Sequence, residues 1–143
     1  MPLPKIIQFP LGLTENHLQF HYVKTEVTSA EILAINAVPK VLVTAPGAGF
    51  ILMPIFAITD YDYITAAYAT NTDLSIVHNG EVAKLIDVQG VISQVADIIQ
   101  TGVLSGLRGL ISNKALELTE LTGDPTGGDG TLTVYLWYIN LEL

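Results

Sequence analysis

The run of residues 131–141 constrains the fold of this chain more than any other feature. It is dense in β-branched and aromatic side chains, namely Thr131, Thr133, Val134, Tyr135, Trp137, Tyr138 and Ile139. Such side chains favour extended backbone because they pack well on a pleated, half-buried surface. A second run, residues 17–26, alternates between two faces, with Leu18, Phe20 and Tyr22 on one of them. Because a period of two is typical of a half-buried strand, both runs predict a mainly β chain.

Shorter strand candidates and turns fill the sequence between these two runs. The strand candidates are residues 32–36, 41–45, 50–59, 73–79 and 114–120. The turn signals are the Gly-containing residues 45–49, the Asn79-Gly80 pair and the loop at residues 122–130. Several short strands separated by turns indicate an antiparallel β-sandwich or a jelly-roll-like fold.

One segment has a different periodicity. Its apolar side chains recur at spacings of one, three and four, at Val91, Ile92, Val95, Ile98 and Ile99. This spacing fits an amphipathic helix, and Gly90 and Gly102 bound the segment. We therefore expect one short helix over about residues 91–100.

The N-terminal part of the sequence is rich in residues that interrupt regular structure. Pro2, Pro4, Pro10 and Gly12 predict an irregular arm over residues 1–16. This arm also contains Ile6, Ile7 and Phe9, so we expect it to lie along this subunit or along a neighbouring one. The remaining residues, 17–143, are predicted to form a single β domain of ordinary size.

The composition is unusually apolar for a soluble chain. Half of the residues are hydrophobic and only 14% are charged, whereas typical domains carry about a quarter charged residues. A membrane-spanning helix needs about 20 mostly apolar residues. Residues 50–58 are interrupted by Pro54, and residues 91–111 contain Asp97 and Arg108. With no signal-peptide pattern either, we expect synthesis in the cytoplasm, no membrane contact, and an oligomer that hides apolar surface.

The charge pattern bears on the partners of the chain. The net charge is −8, and the six Lys and Arg residues are scattered singly along the sequence. Without a basic patch to neutralise phosphates, direct binding to nucleic acid is not expected. An acidic surface suits solubility, or docking onto a basic surface of a partner.

No set of residues predicts a catalytic, cofactor-binding or metal site. No Ser lies on a nucleophile elbow, and the only histidines available as a base are His17, His21 and His78. His17 and His21 are more typical of polar strand residues than of metal ligands. Residues 45–49 are followed by Phe50 and not by the Lys and Ser or Thr of a phosphate-binding loop. Cysteine is absent, which excludes disulfides and thiolate ligands.

Acidic and aromatic side chains leave further alternatives open. Asp124 and Asp129 could offer oxygen ligands to a cation, although their loop lacks the spacing of a calcium motif. Asp60, Asp62 and Asp73 could pair as acid and base, but the alternation with tyrosines favours placing those tyrosines in a core or interface. Trp137 could stack on a sugar, yet so apolar a strand favours a core position.

Three short motifs resemble those of small structural proteins from tailed phages and prophages. They read TAPGAG at residues 44–49, YATNTDL at residues 68–74 and TGGDGTL at residues 126–132. Their order and spacing resemble that group over roughly the last three quarters of the chain. One departure is Phe50, because a basic residue often follows the Gly-Ala-Gly in such sequences.

The resemblance implies a virion protein, and first among these a capsid cement (decoration) protein. Such proteins are commonly trimers, so the resemblance implies a homotrimer that clamps neighbouring subunits of the major capsid protein on the capsid surface. Its synthesis is expected in the host cytoplasm. The alternative is a tail, baseplate or receptor-binding β module. A third hypothesis, which rests on Trp137, the tyrosines and a carboxylate pair, is a small carbohydrate-acting or carbohydrate-binding protein. The interface candidates in the sequence are Ile6, Ile7, Phe9, Phe50, Tyr61, Tyr63 and Tyr68.

Overall fold

The computed structural model describes residues 18–106 and 109–143, which form two antiparallel sheets. The elements are β1 (Leu18–Val27), α1 (Ser29–Ile32), β2 (Lys40–Val43), β3 (Phe50–Asp62), β4 (Asp73–His78), β5 (Ile86–Gln89), β6 (Ile98–Thr101), β7 (Val103–Leu104), β8 (Leu116–Thr119) and β9 (Thr131–Glu142). One sheet has four strands in the order β1-β9-β3-β6, and the other has five in the order β2-β8-β4-β5-β7. This architecture confirms the predicted mainly β, antiparallel β-sandwich.

The long strand β9 lies inside the four-stranded sheet, between β1 and β3. Its alternate residues Leu132, Val134 and Leu136 are at most 1% exposed, so they point into the sandwich. The residues between them point outward and are only partly buried. The β-branched and aromatic run recognised in the sequence therefore forms a strand whose two neighbours are both long.

The core lies between the two sheets and joins side chains from both of them. Leu52, Ala57 and Leu136 from the four-stranded sheet belong to one buried cluster with Ile76 and Leu118 from the five-stranded sheet. Burying each such Leu or Ile side chain stabilises the fold by roughly 1.5–3 kcal/mol. These contacts hold the two sheets face to face, with one face of each sheet directed away from the core.

The prediction of a helix over about residues 91–100 is wrong. Val91 and Ile92 are fully buried, whereas Val95 and Ile99 are 75% and 71% exposed, so these side chains do not share one face. Strand β6 occupies the end of this segment instead, and its Ile98 lies opposite Tyr61 of β3. Pairing with a neighbouring strand has overridden the local periodicity.

A helix occurs elsewhere, directly after β1. Helix α1 begins after Thr28, whose side chain accepts a hydrogen bond from the Glu31 backbone N–H, while the Glu31 carboxylate accepts from the Thr28 N–H. This reciprocal capping box satisfies donors that the first turn of a helix otherwise leaves free. The predicted arm at residues 1–16 lies outside the described residues.

Candidate interaction surface

The outward face of the four-stranded sheet carries a row of aromatic side chains. The strand register places Tyr22 of β1 opposite Trp137 of β9, and Trp137 opposite Phe56 of β3. The Trp137 ring centroid lies 5.0 Å from that of Tyr22 and 5.5 Å from that of Phe56. Tyr22 and Phe56 are 53% and 40% exposed. The prediction that Trp137 is a core residue is therefore wrong, because its ring lies on the outer side of the sheet.

More aromatic surface lies beside this row. Phe20 of β1 is 61% exposed on the same face, and the ring centroid of Tyr135 lies 6.5 Å from that of Tyr22. The Lys24 amine lies 5.9 Å from the Tyr135 centroid. We call the set Phe20, Tyr22, Phe56, Tyr135 and Trp137 the aromatic face. Exposed aromatic clusters of this kind are typical of protein–protein contact surfaces, where Trp and Tyr are enriched.

A second group of exposed apolar side chains follows the sequence from just before β6 into β7. Its members are Val95, Ile99, Val103 and Leu104, which are 75%, 71%, 67% and 47% exposed. We call these four residues the β6–β7 patch. Sequence reasoning missed this patch because it assigned part of the segment to a helix. The consecutive apolar pairs at residues 98–99 and 103–104 were the available signal.

The interface candidates that the structure describes, Phe50 and three tyrosines, do not come together on one surface. Tyr61 and Tyr68 are 0% and 3% exposed, and their ring centroids lie 6.4 Å apart in the interior. Burial raises the pKa of the Tyr68 hydroxyl, which donates a hydrogen bond to the Gly130 carbonyl at 2.7 Å. Tyr63 is half-buried and donates to the Thr65 carbonyl at 2.6 Å. These tyrosines organise the fold around the ends of β3 and β9.

The remaining candidates have other locations. Phe50 is partly exposed at the start of β3, opposite Glu142. Ile6, Ile7 and Phe9 lie outside the described residues, so their predicted role in an interface stays a prediction.

The loop before β9 is fixed to the loop that follows β3. The Asp129 carboxylate accepts hydrogen bonds from the backbone N–H groups of Thr65 and Ala66, at 2.9 and 3.0 Å, and from the Thr65 hydroxyl. These bonds lower the pKa of Asp129. A backbone bridge also joins Ala69 to Thr126. The motifs at residues 68–74 and 126–132 are therefore neighbours, and their polar residues serve this junction.

The two aspartates considered as cation ligands are engaged with different backbone segments. Asp124 accepts from the N–H groups of Asn36 and Ala37, at 2.7 and 3.1 Å, whereas Asp129 binds the loop after β3. Among the residues that the structure describes, no group of three or more His, Asp or Glu side chains is placed to hold a metal ion.

The other polar candidates also have structural positions. His78 is buried; its Nδ1 accepts from the Ile111 N–H at 3.2 Å, and its Nε2 donates to the Leu52 carbonyl at 2.9 Å. Asp60 and Asp73 belong to different sheets. An open recess of about 250 Å³ near the end of β1 includes Glu26 and Asp62 among its walls.

Comparisons of the sequence find no match, whereas comparisons of the fold do. No protein-family model and no curated protein matches the sequence. A chain in the capsid asymmetric unit of cyanophage Pam1 has a similar fold, with a TM-score of 0.52 and 14% identity, over 97% of this chain and 99% of its own length. A chain in the capsid of Ralstonia phage GP4 gives a TM-score of 0.48 and 13% identity, over 97% and 93%.

The Pam1 likeness shows a shared fold along nearly the whole of both chains. Within residues 18–106 and 109–143, no helix has the length and apolar character needed to cross a membrane.

Proposed function

We propose that this chain is a bacteriophage capsid cement (decoration) protein, which assembles with copies of itself and stabilises the shell of major capsid protein. The observation that carries this proposal is the fold shared with a chain of the Pam1 capsid asymmetric unit over 97% of one chain and 99% of the other. Because the match extends along nearly the whole of both chains, it relates two chains of the same size and architecture. It is not a likeness to one module of a larger chain.

The surface of the chain supports a role in assembly. Three rings of the aromatic face, Phe20, Tyr22 and Phe56, are 40–61% exposed, and Trp137 is partly buried between Tyr22 and Phe56. Aromatic rings lose little side-chain entropy when a partner covers them. We assign the central rings of this face, Phe56 and Trp137, to contact with the major capsid protein. A net charge of −8 would favour a basic patch beside that contact on the shell.

The polar residues considered for chemistry support a role without catalysis. Asp129, Asp124 and His78 each hold a backbone segment in place, so their hydrogen-bonding capacity is used by the fold. The proposed location is the outer surface of the virion capsid, after synthesis in the host cytoplasm. No cofactor and no direct contact with nucleic acid form part of this proposal.

The decisive experiment adds purified protein to expanded capsids that lack it. Co-sedimentation measures binding, and cryo-EM of the decorated particles locates the added density. We expect saturable binding at repeated positions on the shell, together with greater resistance of the capsid to heat. Density confined to the tail or baseplate would favour the tail-module alternative, and the absence of binding to any particle would refute both.

A matched pair of variants connects the binding to the aromatic face. Phe56→Ser removes a central ring, whereas Val82→Ser alters a side chain that is 80% exposed and lies in the connection between β4 and β5. Only the Phe56 variant should lose capsid binding. Circular dichroism of both variants verifies that each keeps the β fold.

A further inference from the structure

An apolar recess lies beside the edge strand β2 of the five-stranded sheet. Its volume is about 300 Å³, and its apolar walls come from α1, from the segment after α1 and from the start of β2. These walls are formed by Ala30, Ala34, Val38, Pro39 and Val41. Val38 and Val41 are 69% and 45% exposed. Because these residues line one recess, they form one continuous apolar surface that is open to a partner.

The two charged groups at the rim of this recess are already paired with each other. The Lys40 amine donates a hydrogen bond to the Glu31 carboxylate and forms an ion pair with it. Small-molecule sites have volumes of about 300–1,000 Å³ and a few polar groups that orient the ligand. This recess is at the lower end of that range, and its charged groups are engaged. It therefore suits apolar side chains of a polypeptide better than a cofactor or a polar small molecule.

Strand β2 also offers main-chain groups beside the recess. It is the outermost strand of its sheet, and within residues 18–106 and 109–143 its only paired neighbour is β8. The free edge of a strand presents N–H and C=O groups with which an extended segment can pair. The occupant that fits both features is an extended peptide with apolar side chains on one side.

The sequence of the N-terminal arm contains such a peptide. Residues 5–9 lie between Pro4 and Pro10, so each of them has the backbone N–H that a proline lacks. Successive side chains of an extended segment point to opposite sides, which places Ile7 and Phe9 on the same side. Two large apolar side chains on one side match the open apolar surface of the recess.

The described fold begins at the end of the sandwich where β2 finishes. Leu141 of β9 lies opposite both the first residue of β1 and Ile51 of β3. The adjacent Leu52 carbonyl accepts a hydrogen bond from His78. Leu116 of β8 lies opposite both His78 and the last residue of β2. The start of β1 and the end of β2 are therefore close to each other.

The connection between the arm and β1 is long enough to reach the recess. Two sheets in a sandwich lie roughly 10 Å apart, and a strand of four residues such as β2 is roughly 13 Å long. Residues 10–17 can span roughly 26 Å when extended, and Gly12 allows a turn among them. The recess is thus within reach of the arm of the same copy.

We propose that residues 6–9 of the arm dock in this recess of the same copy, extended beside β2, with Ile7 and Phe9 against Val38 and Val41. A segment tethered by a short connection has a high effective concentration at a site within reach, which favours its own recess over that of another copy. The docked segment also covers the free edge of β2, which would otherwise be open to pairing with other chains. This proposal goes beyond the capsid role, since it concerns the five-stranded sheet and not the aromatic face.

The absence of cysteine from the chain allows a single thiol to report on the recess. Val38→Cys places one thiol in its wall, and the rate of reaction with a maleimide measures how well the recess is covered. A companion chain of the same length also carries Ile7→Ser and Phe9→Ser, which remove the docking side chains. We expect the thiol to react about tenfold faster in the companion chain, since reaction requires the undocked state. Equal rates in the two chains would refute the docking.

A thiol placed elsewhere is the matched control. Val82→Cys alters a valine that is 80% exposed and lies in the connection between β4 and β5, outside the recess. Its reaction rate should be the same with and without the two substitutions in the arm. An equal acceleration at both thiols would indicate a general loosening of the fold and would contradict a local docking.

A refolded mixture identifies the copy that supplies the arm. The companion chain with Val38→Cys is unfolded and then refolded with an excess of the native chain, which has no thiol. Its thiol should still react fast, because docking takes place within one copy. Recovery of protection would show that another copy supplies the arm, and it would overturn the proposal. Binding of the native protein to capsids is a separate measurement, and none of these thiol reactions depends on its result.

Discussion

Gly128 lies against the ring of Tyr68, so closely that a Cβ atom built on Gly128 would be 2.5 Å from two ring carbons. The backbone of Gly128 also has a φ of +81°, which L side chains rarely adopt. This contact seats the loop before β9 on the buried tyrosine, at the point where the motifs at residues 68–74 and 126–132 meet.

Substitution of Gly128 by alanine should therefore destabilise the protein strongly. The added methyl group meets a buried ring and the backbone is strained, so we expect a loss of about 2–4 kcal/mol in the free energy of unfolding. Gly127→Ala is the matched control, because its φ is +64° but its nearest neighbour is 3.9 Å away. It should cost only about 1–2 kcal/mol. Urea denaturation of both variants measures the difference, and equal losses would contradict the steric explanation.

Buried His78 should be needed for its two hydrogen bonds and not for its volume. His78→Phe leaves the Leu52 carbonyl and the Ile111 N–H without their partner, since the ring nitrogens supply both bonds. Each buried group left unsatisfied costs about 1–3 kcal/mol, so we expect a loss of about 2–5 kcal/mol. His78→Gln retains one donor and one acceptor and should lose less. Thermal unfolding compares the two variants, and a Phe variant as stable as the native protein would refute this role.

The stability of the protein should fall in acid partly through Glu31. The pKa of Glu31 is lowered from 4.5 to about 2. The largest cause is the hydrogen bond and ion pair with Lys40, and the capping bonds to Thr28 add to it. A carboxyl group with a lowered folded-state pKa stabilises the fold at pH values above its unfolded pKa. That contribution is present above about pH 4.5 and is lost as the pH falls towards 2.

Glu31→Gln should flatten the decline in stability between pH 4.5 and 2. The effect should be small, because the Glu31 side chain is 39% exposed and water screens its ion pair. Glu81→Gln serves as the control, since the Glu81 carboxylate makes a longer ion pair with Lys114 at 3.7 Å. Urea titrations over this pH range provide the measurement. A native slope that persists in Glu31→Gln would show that other carboxyl groups cause the decline.

Truncation of Phe56 to alanine should weaken capsid binding much more than it weakens the fold. The ring is 40% exposed and stacks on Trp137, so its loss from the fold should cost about 1 kcal/mol. As a central interface ring it should contribute about 2 kcal/mol to binding, which corresponds to roughly a thirtyfold weaker association. Titration of decorated capsids measures the affinity, with Val82→Ala as the control. An unchanged affinity would show that the capsid contacts a surface other than the aromatic face.

The elements predicted well from the sequence were those whose local pattern agrees with their surroundings. Strand β9 is the clearest case, since its β-branched and aromatic residues suit a strand with neighbours on both sides. The prediction of a helix over residues 91–100 is wrong for the opposite reason. The pairing of Ile98 with Tyr61 in the sheet overrides the helical spacing of the apolar residues. The spacing of Thr28 and Glu31 resembles a capping box in the sequence, but the apolar run that follows is short and favours a turn, so α1 is not predicted there.

The faces of the strands were harder to assign than the strands themselves. Both sides of β9 are apolar, with Leu132 and Val134 inside and Tyr135 and Trp137 outside. Alternation separates the two sides but cannot tell which one faces the core when neither is polar. Tyr61 alternates with Asp60 and Asp62, which is typical of a core or an interface position, and its burial places it in the core. On β1 the more apolar side, with Phe20 and Tyr22, is the exposed one, so polarity alone does not identify the face directed at the core.

The position of β9 between β1 and β3 has a consequence for the timing of folding during synthesis. Strands β1 and β3 are made early but touch each other only through β9, which follows them far along the chain. The four-stranded sheet cannot close until β9 has left the ribosome, and such long-range pairing is slow. The rings of Tyr22 and Phe56 are thus brought together around Trp137 only after β9 has been made. Until then, a nascent chain on the ribosome lacks the complete aromatic face.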